Sequence, residues 1–472
     1  MAFKASRRIH VSSLAKQAPV SPAFIATDQG GVVPASADLS KAGSLDGRTI
    51  IRFAHAFETG GGVERYLDDL DRILLARNAV TIFRLFIGGN TCSAEPHAEA
   101  VGRGSLLRVP LPLPAGEGPQ IASDRSLMGV KWKHLIRDWV IYNPLIWKFL
   151  AKRYLVSWRI PRRSGQVIGA GRTVADLLSH HRVDLIMLHF FGGADADEIV
   201  SEACRTDTPF AVLNHFSNER FLNLSSRKHT MLASGVAGVN GLGLPRFIRK
   251  EFCNLSDGID TEYFHLSKAC PPPEAPALPL VLLPARVIRS KGHLDLLKAA
   301  AILKREGIAF AIAFAGRADS KPFNDKLRRI VDGFGMAGHV HFLGELSVER
   351  LRDWYGASAV VAFPTYHHEG LPRVTLEAQA MQVPVIAYAT GGVAAGILSG
   401  KTGYLLKTGD AKGLSLRLRE LLTDAAKRKE MGESGRRWVA DRFSLCSLAQ
   451  RHEEFYLRVI RSRNADVPPI KP

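Results

Sequence analysis

The sequence predicts an α/β protein made of two open, doubly wound domains that face each other across a cleft. Short apolar segments alternate with helical stretches along most of the chain, which is typical of parallel sheets covered by helices. The proline-rich run at 270–273 can continue neither a helix nor a central strand, so it divides this alternation in two. Ligands of such sheets bind beyond the carboxyl ends of the strands, which puts the expected site in the cleft.

Each predicted strand is a short apolar run bounded by polar or turn-forming residues, and helical spacing fills the intervals. The helix predicted over 293–305 is one example, because Leu294, Leu297 and Ala301 fall on one face. The strands predicted in the first half lie at 50–53, 80–86, 185–188, 210–213 and 236–239. Those predicted in the second half lie at 281–283, 310–314, 340–342, 359–363 and 385–388.

The chain divides into five parts. Residues 1–45 have no sustained apolar period and are interpreted as a mobile tail. An organelle transit peptide is the alternative for this tail, and the acidic residues Asp28 and Asp38 count against it. The other predicted parts are a first domain at 46–268, a linker at 269–279, a second domain at 280–445, and a C-terminal helix and tail at 446–472.

Length and composition are those of a globular protein: 472 residues, 46% of them apolar and 23% charged. The five cysteines lie far apart without a C-x-x-C pair, so neither a disulfide framework nor a zinc site is expected. No stretch approaches the about 20 unbroken apolar residues of a spanning helix, and no apolar signal-peptide core begins the chain. We therefore expect a cytoplasmic protein.

The net charge of +18 predicts an anionic partner. Residues 131–163 hold nine Lys or Arg against one acid, together with four of the six tryptophans. Such aromatic and basic side chains suit an anionic headgroup layer, so the insert at about 120–165 is a candidate docking surface at the inner face of the plasma membrane. A helical cap with a solvated basic face is the alternative. No nucleic-acid recognition motif accompanies the charge, so no nucleic-acid partner is expected.

The most informative segment is 363–377, FPTYHHEGLPRVTLE. After a predicted strand, a loop carries Glu369 and Gly370 to the start of a helix, whose free N–H groups favour a phosphate or diphosphate. Eight residues of helix would separate Glu369 from Glu377 by about 12 Å, beyond the roughly 5–9.5 Å of a hydrolytic acid–base pair. The two carboxylates are expected to hold two ends of one long ligand; an acidic first turn with a surface glutamate is the alternative.

Further candidates follow other strands. Arg286 and Lys291 come just after the strand at 281–283, where two cations can neutralise a departing diphosphate. The glycines at 60–62 follow the first strand and precede a helix, as a phosphate loop or a plain flexible turn would. His215 lies at the end of the strand at 210–213, although a lone histidine is usually structural.

Taken together, these motifs resemble the retaining, metal-independent nucleotide-sugar glycosyltransferases of family 4, which have the GT-B fold of two Rossmann-like domains. The resemblance covers residues 281 to about 410 most closely. It is carried by Arg286 with Lys291-Gly292, FAGR at 314–317, VHFLG at 340–344, the E-x7-E pair Glu369 and Glu377, PVIA at 384–387, Gly391-Gly392 and GYL at 403–405.

The resemblance implies a role for each candidate. Arg286 and Lys291 bind the donor diphosphate, Glu369 and the backbone after it bind the sugar, and Glu377 binds the ribose. The implied catalytic residues are Arg286, Lys291, Glu369 and His215. The implied donor-binding residues are Gly61, Gly62, Gly316, Gly370, Leu371 and Glu377.

The implied reaction is retaining transfer from a UDP- or GDP-linked sugar to a saccharide or lipid-linked acceptor, as in bacterial surface polysaccharide or glycolipid biosynthesis. It needs no protein nucleophile, metal or resident cofactor. Two departures stand out: residues 393–396 (VAAG) lack an acid common in the family, and Asp257 replaces a turn asparagine. The alternatives are a GT-B phosphorylase, a nucleotide-sugar epimerase and a non-catalytic sugar-nucleotide-binding protein. A dehydrogenase is disfavoured because no G-x-G-x-x-G opens either domain.

Overall fold

The computed structural model describes residues 45–54, 62–87, 97–111, 170–189, 194–215, 229–239 and 252–462. Two sheets covered by helices form two α/β domains, which confirms the predicted two-domain architecture. The predicted insert at about 120–165, and all but the last residue of the predicted tail at 1–45, lie outside the described residues. In the described part of the chain, no helix has both the length and the apolar character to cross a bilayer.

The first sheet has eight described strands in the order β3-β4-β2-β1-β5-β6-β7-β8. Neighbouring strands run parallel, except that β3 and β4 form an antiparallel pair at one edge. The strands are β1 (Thr49–Ala54), β2 (Thr81–Ile87), β3 (His97–Val101), β4 (Gly104–Leu111), β5 (Leu185–Leu188), β6 (Phe210–Asn214), β7 (Gly235–Gly238) and β8 (Phe252–Asn254).

Helices cover both faces of this sheet. Helix α1 (Gly62–Arg77) buries Leu67, Leu70 and Leu74 at helical spacing against one face. Helices α2 (Ala170–His180) and α3 (Ala194–Arg205) pack on the other face, in a second apolar cluster. Two separate apolar layers on the two faces are what a doubly wound sheet requires.

The second sheet has six parallel strands in the order β11-β10-β9-β12-β13-β14. They are β9 (Leu280–Pro284), β10 (Ala311–Ala315), β11 (Val340–Gly344), β12 (Val360–Phe363), β13 (Val385–Tyr388) and β14 (Gly403–Leu406). All ten strands predicted from the sequence are present in the two sheets, with ends shifted by at most two residues.

Several of the remaining helices begin at residues whose side chains cap the first turn. Ser320, Ser347 and Asp410 each accept a hydrogen bond from a backbone N–H of the first helical turn, which satisfies donors that have no partner within the helix. The remaining helices are α4 (His293–Arg305), α5 (Lys321–Gly333), α6 (Val348–Gly356), α7 (Arg373–Ala380), α8 (Ala411–Thr423), α9 (Ala425–Phe443) and α10 (Leu445–Ser462).

Helix α10 returns to the first domain. Its Leu448, Phe455 and Tyr456 are buried in the same apolar cluster as α1. Polar contacts reinforce the packing, because Glu453 accepts hydrogen bonds from Arg77 Nε at 2.9 Å and from Asn78 Nδ2 at 2.8 Å. The last helix of the chain is therefore a structural part of the first domain, although it follows the second in sequence.

Candidate active site

The second sheet reverses its direction of winding at β9, which pairs with β10 on one side and with β12 on the other. The loops that leave the carboxyl ends of β9 and β12 diverge there, and such a switch point is where open α/β sheets bind ligands. These two loops, at 285–292 and 364–372, carry Arg286, Lys291, Glu369 and Gly370.

The two loops are fastened to each other by backbone contacts. Tyr366 N donates to the carbonyl oxygen of Ser290 at 2.7 Å, and Thr365 Oγ1 donates to the same oxygen at 3.3 Å. Gly292 has a φ of +78°, and a Cβ there would lie 2.0 Å from the carbonyl oxygen of Pro364. Only glycine fits at this position, and the close approach brings Lys291 beside the loop that carries Glu369.

Lys291 and Glu369 form an ion pair in which Nζ donates to Oε1. Both side chains are largely buried, at 12% and 19% exposed, and the Lys291 ammonium also lies 5.6 Å from the ring centroid of Phe363. The structure thus brings together the predicted phosphate-binding cation and the predicted sugar-binding carboxylate.

Arg286 lies in the same charged environment but is more exposed. Its Nη1 donates to Asp319 Oδ2 at 2.8 Å. Burial lowers the pKa of His367, Glu369 raises it, and Lys291 and Arg286 lower it further. The three charged residues predicted at this site, Glu369, Lys291 and Arg286, therefore all influence the pKa of His367.

Gly316 and Leu371, both predicted to bind the donor, have packing roles in the structure. A Cβ on Gly316 would lie 2.2 Å from the carbonyl oxygen of Ala285, so glycine is needed for β10 to end against the loop after β9. Leu371 is buried in an apolar cluster of the second domain. Their contacts with a donor stay predictions. Of the glycine loop, Gly61 lies outside the described residues, and Gly62 is the first residue of α1.

Glu377 lies on α7 and is fully buried at the boundary between the domains. Tyr355 Oη donates to its Oε2 at 3.1 Å, and Arg65 of α1 places Nη1 3.2 Å from its Oε1. Burial first, and Glu377 second, raise the pKa of Tyr355 well above its ordinary value, so its hydroxyl stays a donor. The predicted ribose-binding role of Glu377 stays a prediction, and a ribose bound there would compete with Arg65 for this carboxylate.

Arg373 forms a second contact between the two domains. This contact was not predicted from the sequence. Its Nη1 donates to Asp257 Oδ1 at 3.1 Å and to the carbonyl oxygen of Gly258 at 2.7 Å. Its Nη2 donates to Asp69 of α1. Burial raises the pKa of Asp257 to about 6 even though the Arg373 charge lowers it. One sequence pattern could have indicated this contact between domains. Arg65, Asp69 and Arg72 are spaced so that they share one face of α1.

The first domain contributes His215, at the end of β6. A Cβ on Gly370 would lie 2.2 Å from the His215 carbonyl oxygen, so the two domains touch at the loop that carries Glu369. Burial lowers the pKa of His215 to about 4, which keeps its imidazole neutral at physiological pH. The structure therefore brings the backbone of His215 into contact with Gly370.

His189 was also missed, although it too directly follows a strand. Its Nδ1 lies 3.0 Å from His215 Nε2, and the two rings stack with centroids 5.3 Å apart. The Tyr66 ring meets His215 edge to face, at 5.1 Å between centroids. His215 is thus held among aromatic side chains rather than standing alone in the cleft.

Comparison with known proteins shows which families and folds the chain is similar to. Residues 272–438 match the family model described as Glycosyl transferases group 1. A GDP-mannose-dependent alpha-(1-6)-phosphatidylinositol monomannoside mannosyltransferase of Mycolicibacterium smegmatis is 31% identical over 204 residues, which are 40% of this chain and 51% of that protein. The chain thus spans about half the length of the relatives it matches.

Solved structures extend the likeness to both domains. The crystal structure of a glycosyltransferase from Rickettsia africae is similar with a TM-score of 0.64 at 18% identity, covering 88% of this chain and 99% of that one. Anabaena HepE, solved with UDP and glucose, is similar with a TM-score of 0.56 at 16% identity, covering 86% and 98%. The predicted GT-B fold is confirmed.

Proposed function

We propose that this chain, whose residues 272–438 match the family model of group 1 glycosyltransferases, transfers a sugar from a nucleotide-sugar donor to an acceptor. The observation that carries the proposal is the Lys291–Glu369 ion pair at the switch point, beside the contact between Gly370 and His215. A cation and a carboxylate at one place suit a ligand that has an anionic diphosphate and a hydroxyl-bearing sugar.

The donor is proposed to be a UDP- or GDP-linked sugar. The mycobacterial relative is named as GDP-mannose-dependent, and HepE was solved with UDP. The acceptor is proposed to be a saccharide or lipid-linked saccharide of bacterial surface polysaccharide or glycolipid biosynthesis, because the relative's name specifies a glycolipid acceptor. The basic, aromatic insert at about 120–165 would then dock the enzyme on the inner face of the plasma membrane.

The proposed chemistry is retaining and independent of metal. Arg286 and Lys291 would stabilise the charge that develops on the departing diphosphate, which then helps to take the acceptor proton. Glu369 would accept hydrogen bonds from the sugar hydroxyls and Glu377 from the ribose. His215, which is neutral, would contribute a hydrogen bond and no charge.

The test is to incubate the full chain with panels of UDP- and GDP-sugars and saccharide or lipid-linked acceptors, and to analyse the products by mass spectrometry. Free nucleoside diphosphate together with a glycosylated acceptor supports transfer, and the Lys291→Ala variant is the matched negative control. NMR of the product's anomeric centre tests retention, and assay in a chelator tests metal independence. An epimerised donor, phosphorolysis, or saturable donor binding without turnover across the panel contradicts the proposal.

Membrane docking has its own test. Flotation of the full chain with anionic liposomes should fall when residues 120–165 are deleted, whereas neutral liposomes should not float either protein. Equal flotation of the full and the deleted chain on anionic liposomes rules out this role for the insert.

A further inference from the structure

A buried cluster of histidine and tyrosine side chains lies at the switch point of the first sheet. Strand β1 pairs with β2 on one side and with β5 on the other, so the ends of β1 and β5 form this switch point. His189 directly follows β5 and is 1% exposed, and its backbone N donates to the carbonyl oxygen of Phe53 at the end of β1. A buried imidazole therefore lies directly behind the ligand-binding edge of the first domain.

The hydrogen-bond partners of the ring nitrogens indicate which nitrogen of each histidine carries the proton. Burial lowers the pKa of both His189 and His215, so both rings are neutral and one must donate to the other across the 3.0 Å contact. His189 Nε2 is buried and has no hydrogen-bond partner among the described residues. A proton on that nitrogen would be an unsatisfied buried N–H donor, which is rare in native proteins, whereas a buried lone pair costs less.

The favoured arrangement therefore has His189 donating from Nδ1 to His215 Nε2. We propose that His189 is a positioning residue that holds His215 in the tautomer protonated on Nδ1, so that His215 donates a hydrogen bond from Nδ1 to a hydroxyl oxygen of the sugar substrate. This inference rests on the proposed transferase function for its substrate class. The tautomer itself follows from the His189–His215 contact and from the buried Nε2 of His189.

Other side chains restrain the plane of the His215 ring. Tyr66 meets this ring edge to face, and its hydroxyl lies 2.6 Å from Nε2 of His452 on α10. His452 Nδ1 lies 3.0 Å from the hydroxyl of Tyr456, which accepts a hydrogen bond from Arg52 Nη2 at 3.1 Å. A ring flip of His215 would lose the bond to His189 and disturb this packing. The C-terminal helix thus takes part in holding the site.

The test measures protonation directly, by long-range proton–nitrogen NMR of the full chain labelled with 15N-histidine. The His215 signals are identified from a His215→Gln spectrum. The wild-type protein should show the proton on Nδ1 of His215. His189→Asn, whose amide N–H replaces the Nδ1 donor, should preserve this state, while His189→Leu should shift the proton to Nε2. His181→Leu, elsewhere in the first domain, is the matched control and should leave the state unchanged.

Kinetics provide the second readout. His189→Leu should lower kcat with a nucleotide sugar by about tenfold, the effect of losing one hydrogen bond in the transition state, and His189→Asn should restore most of it. The Kd for the free nucleoside diphosphate should change by less than about twofold, because the lost bond is made to the sugar. Loss of diphosphate binding without loss of kcat overturns the sugar contact. A wild-type His215 protonated on Nε2 overturns the positioning role, even if no transferase activity is ever found.

Discussion

Arg65 in the first domain and Glu377 in the second form an ion pair across the domain boundary, with Nη1 3.2 Å from Oε1. Glu377 is fully buried beneath this contact, and Tyr355 holds its other oxygen. A ribose bound at Glu377 would share this carboxylate with Arg65 or displace the arginine from it. The pair therefore ties the accessibility of one donor-binding candidate to a residue of the opposite domain.

Removing that arginine should strengthen nucleotide binding. Arg65→Met keeps the apolar stem but removes the charge that competes for Glu377, so the affinity for UDP or GDP should rise by roughly fivefold, the equivalent of a partly exposed ion pair of about 1 kcal/mol. Isothermal titration calorimetry measures this change. Arg72→Met is the matched control, because Arg72 shares the helix face but pairs with Asp69 and Asp260. Weaker binding by Arg65→Met would mean that Arg65 itself holds the donor.

Either partner of the Lys291–Glu369 pair should be essential for turnover. Lys291→Ala and Glu369→Ala should each lower kcat by at least about 100-fold, as expected for loss of a group that stabilises transition-state charge. Circular dichroism and thermal unfolding should show a folded protein, since both side chains retain contact with solvent. Lys298→Ala, which removes an exposed lysine paired with Asp295, is the control. Wild-type turnover in both site variants would refute the proposed site.

Arg286 should raise the affinity for the diphosphate and have little effect on the free energy of unfolding. Arg286→Ala should weaken UDP or GDP binding by about tenfold, the loss of one charge-assisted contact. Arg317 offers a close control, because it is similarly exposed and contacts the same carboxylate, Asp319. If Arg317→Ala weakens binding equally, the effect reflects general charge and not a specific contact of Arg286.

The buried arginine at the domain boundary should matter most for stability. Arg373→Ala would leave Asp257 and Asp69 without their shared partner, at a cost of about 3–5 kcal/mol in the free energy of unfolding. Arg350→Ala breaks an exposed pair with Glu274 and should cost at most about 1 kcal/mol. Chemical denaturation of both variants compares the two values. Similar losses in both would show that Arg373 does not anchor the boundary.

Stability should fall as the pH is lowered from 6.5 towards 4. Burial lowers the pKa of His215 and of His293 to about 4 each, so over this window the unfolded chain takes up protons that the folded chain does not. Each histidine then contributes up to about 3 kcal/mol of stability that is present above pH 6.5 and lost on acidification. Asp257, whose pKa burial raises to about 6, acts in the opposite sense and offsets part of the loss.

Denaturation curves at pH 7, 6, 5 and 4.5 measure this slope. His293→Phe should flatten it, because the substitution removes a titrating ring while keeping the edge-to-face contact with Phe314. His265→Gln, at the half-buried cap of a short 3-10 helix, is the comparison variant. An unaltered slope in the His293 variant would mean that this ring does not titrate as its burial implies.

The sheets could be predicted because strands buried on both faces appear in the sequence as isolated apolar runs. The positions of Arg286, Lys291 and Glu369 could be predicted as well, since each follows such a run. The direct contact of Lys291 with Glu369 could not, because the two residues are 78 positions apart and their approach depends on how closely Gly292 packs against Pro364.

Contacts between domains were beyond the sequence reasoning. The sequence indicates that α10 has an apolar face, but a hydrophobic period does not indicate which domain packs against that face. Arg65 and Arg373 were missed because a helix-surface charge is usually solvated, and only the packed structure shows that its partner lies on the other domain. His189 was missed because its contact with His215 appears only in the packed structure. Two histidines that each follow a strand of one sheet could nevertheless have indicated that they lie close together.

The chain passes between the domains twice, and the two passages run side by side. Ile259 N donates to the carbonyl oxygen of Phe443 at 2.8 Å, and Ile259 forms a parallel bridge with Ser444, where α9 gives way to α10. Exchanging the second domain with that of a related protein therefore needs two breakpoints, one near Ile259 and one at Ser444. A chimera joined only near Ile259 would give the recipient's first domain a foreign closing helix, without the matched His452 and Glu453 that its interior requires.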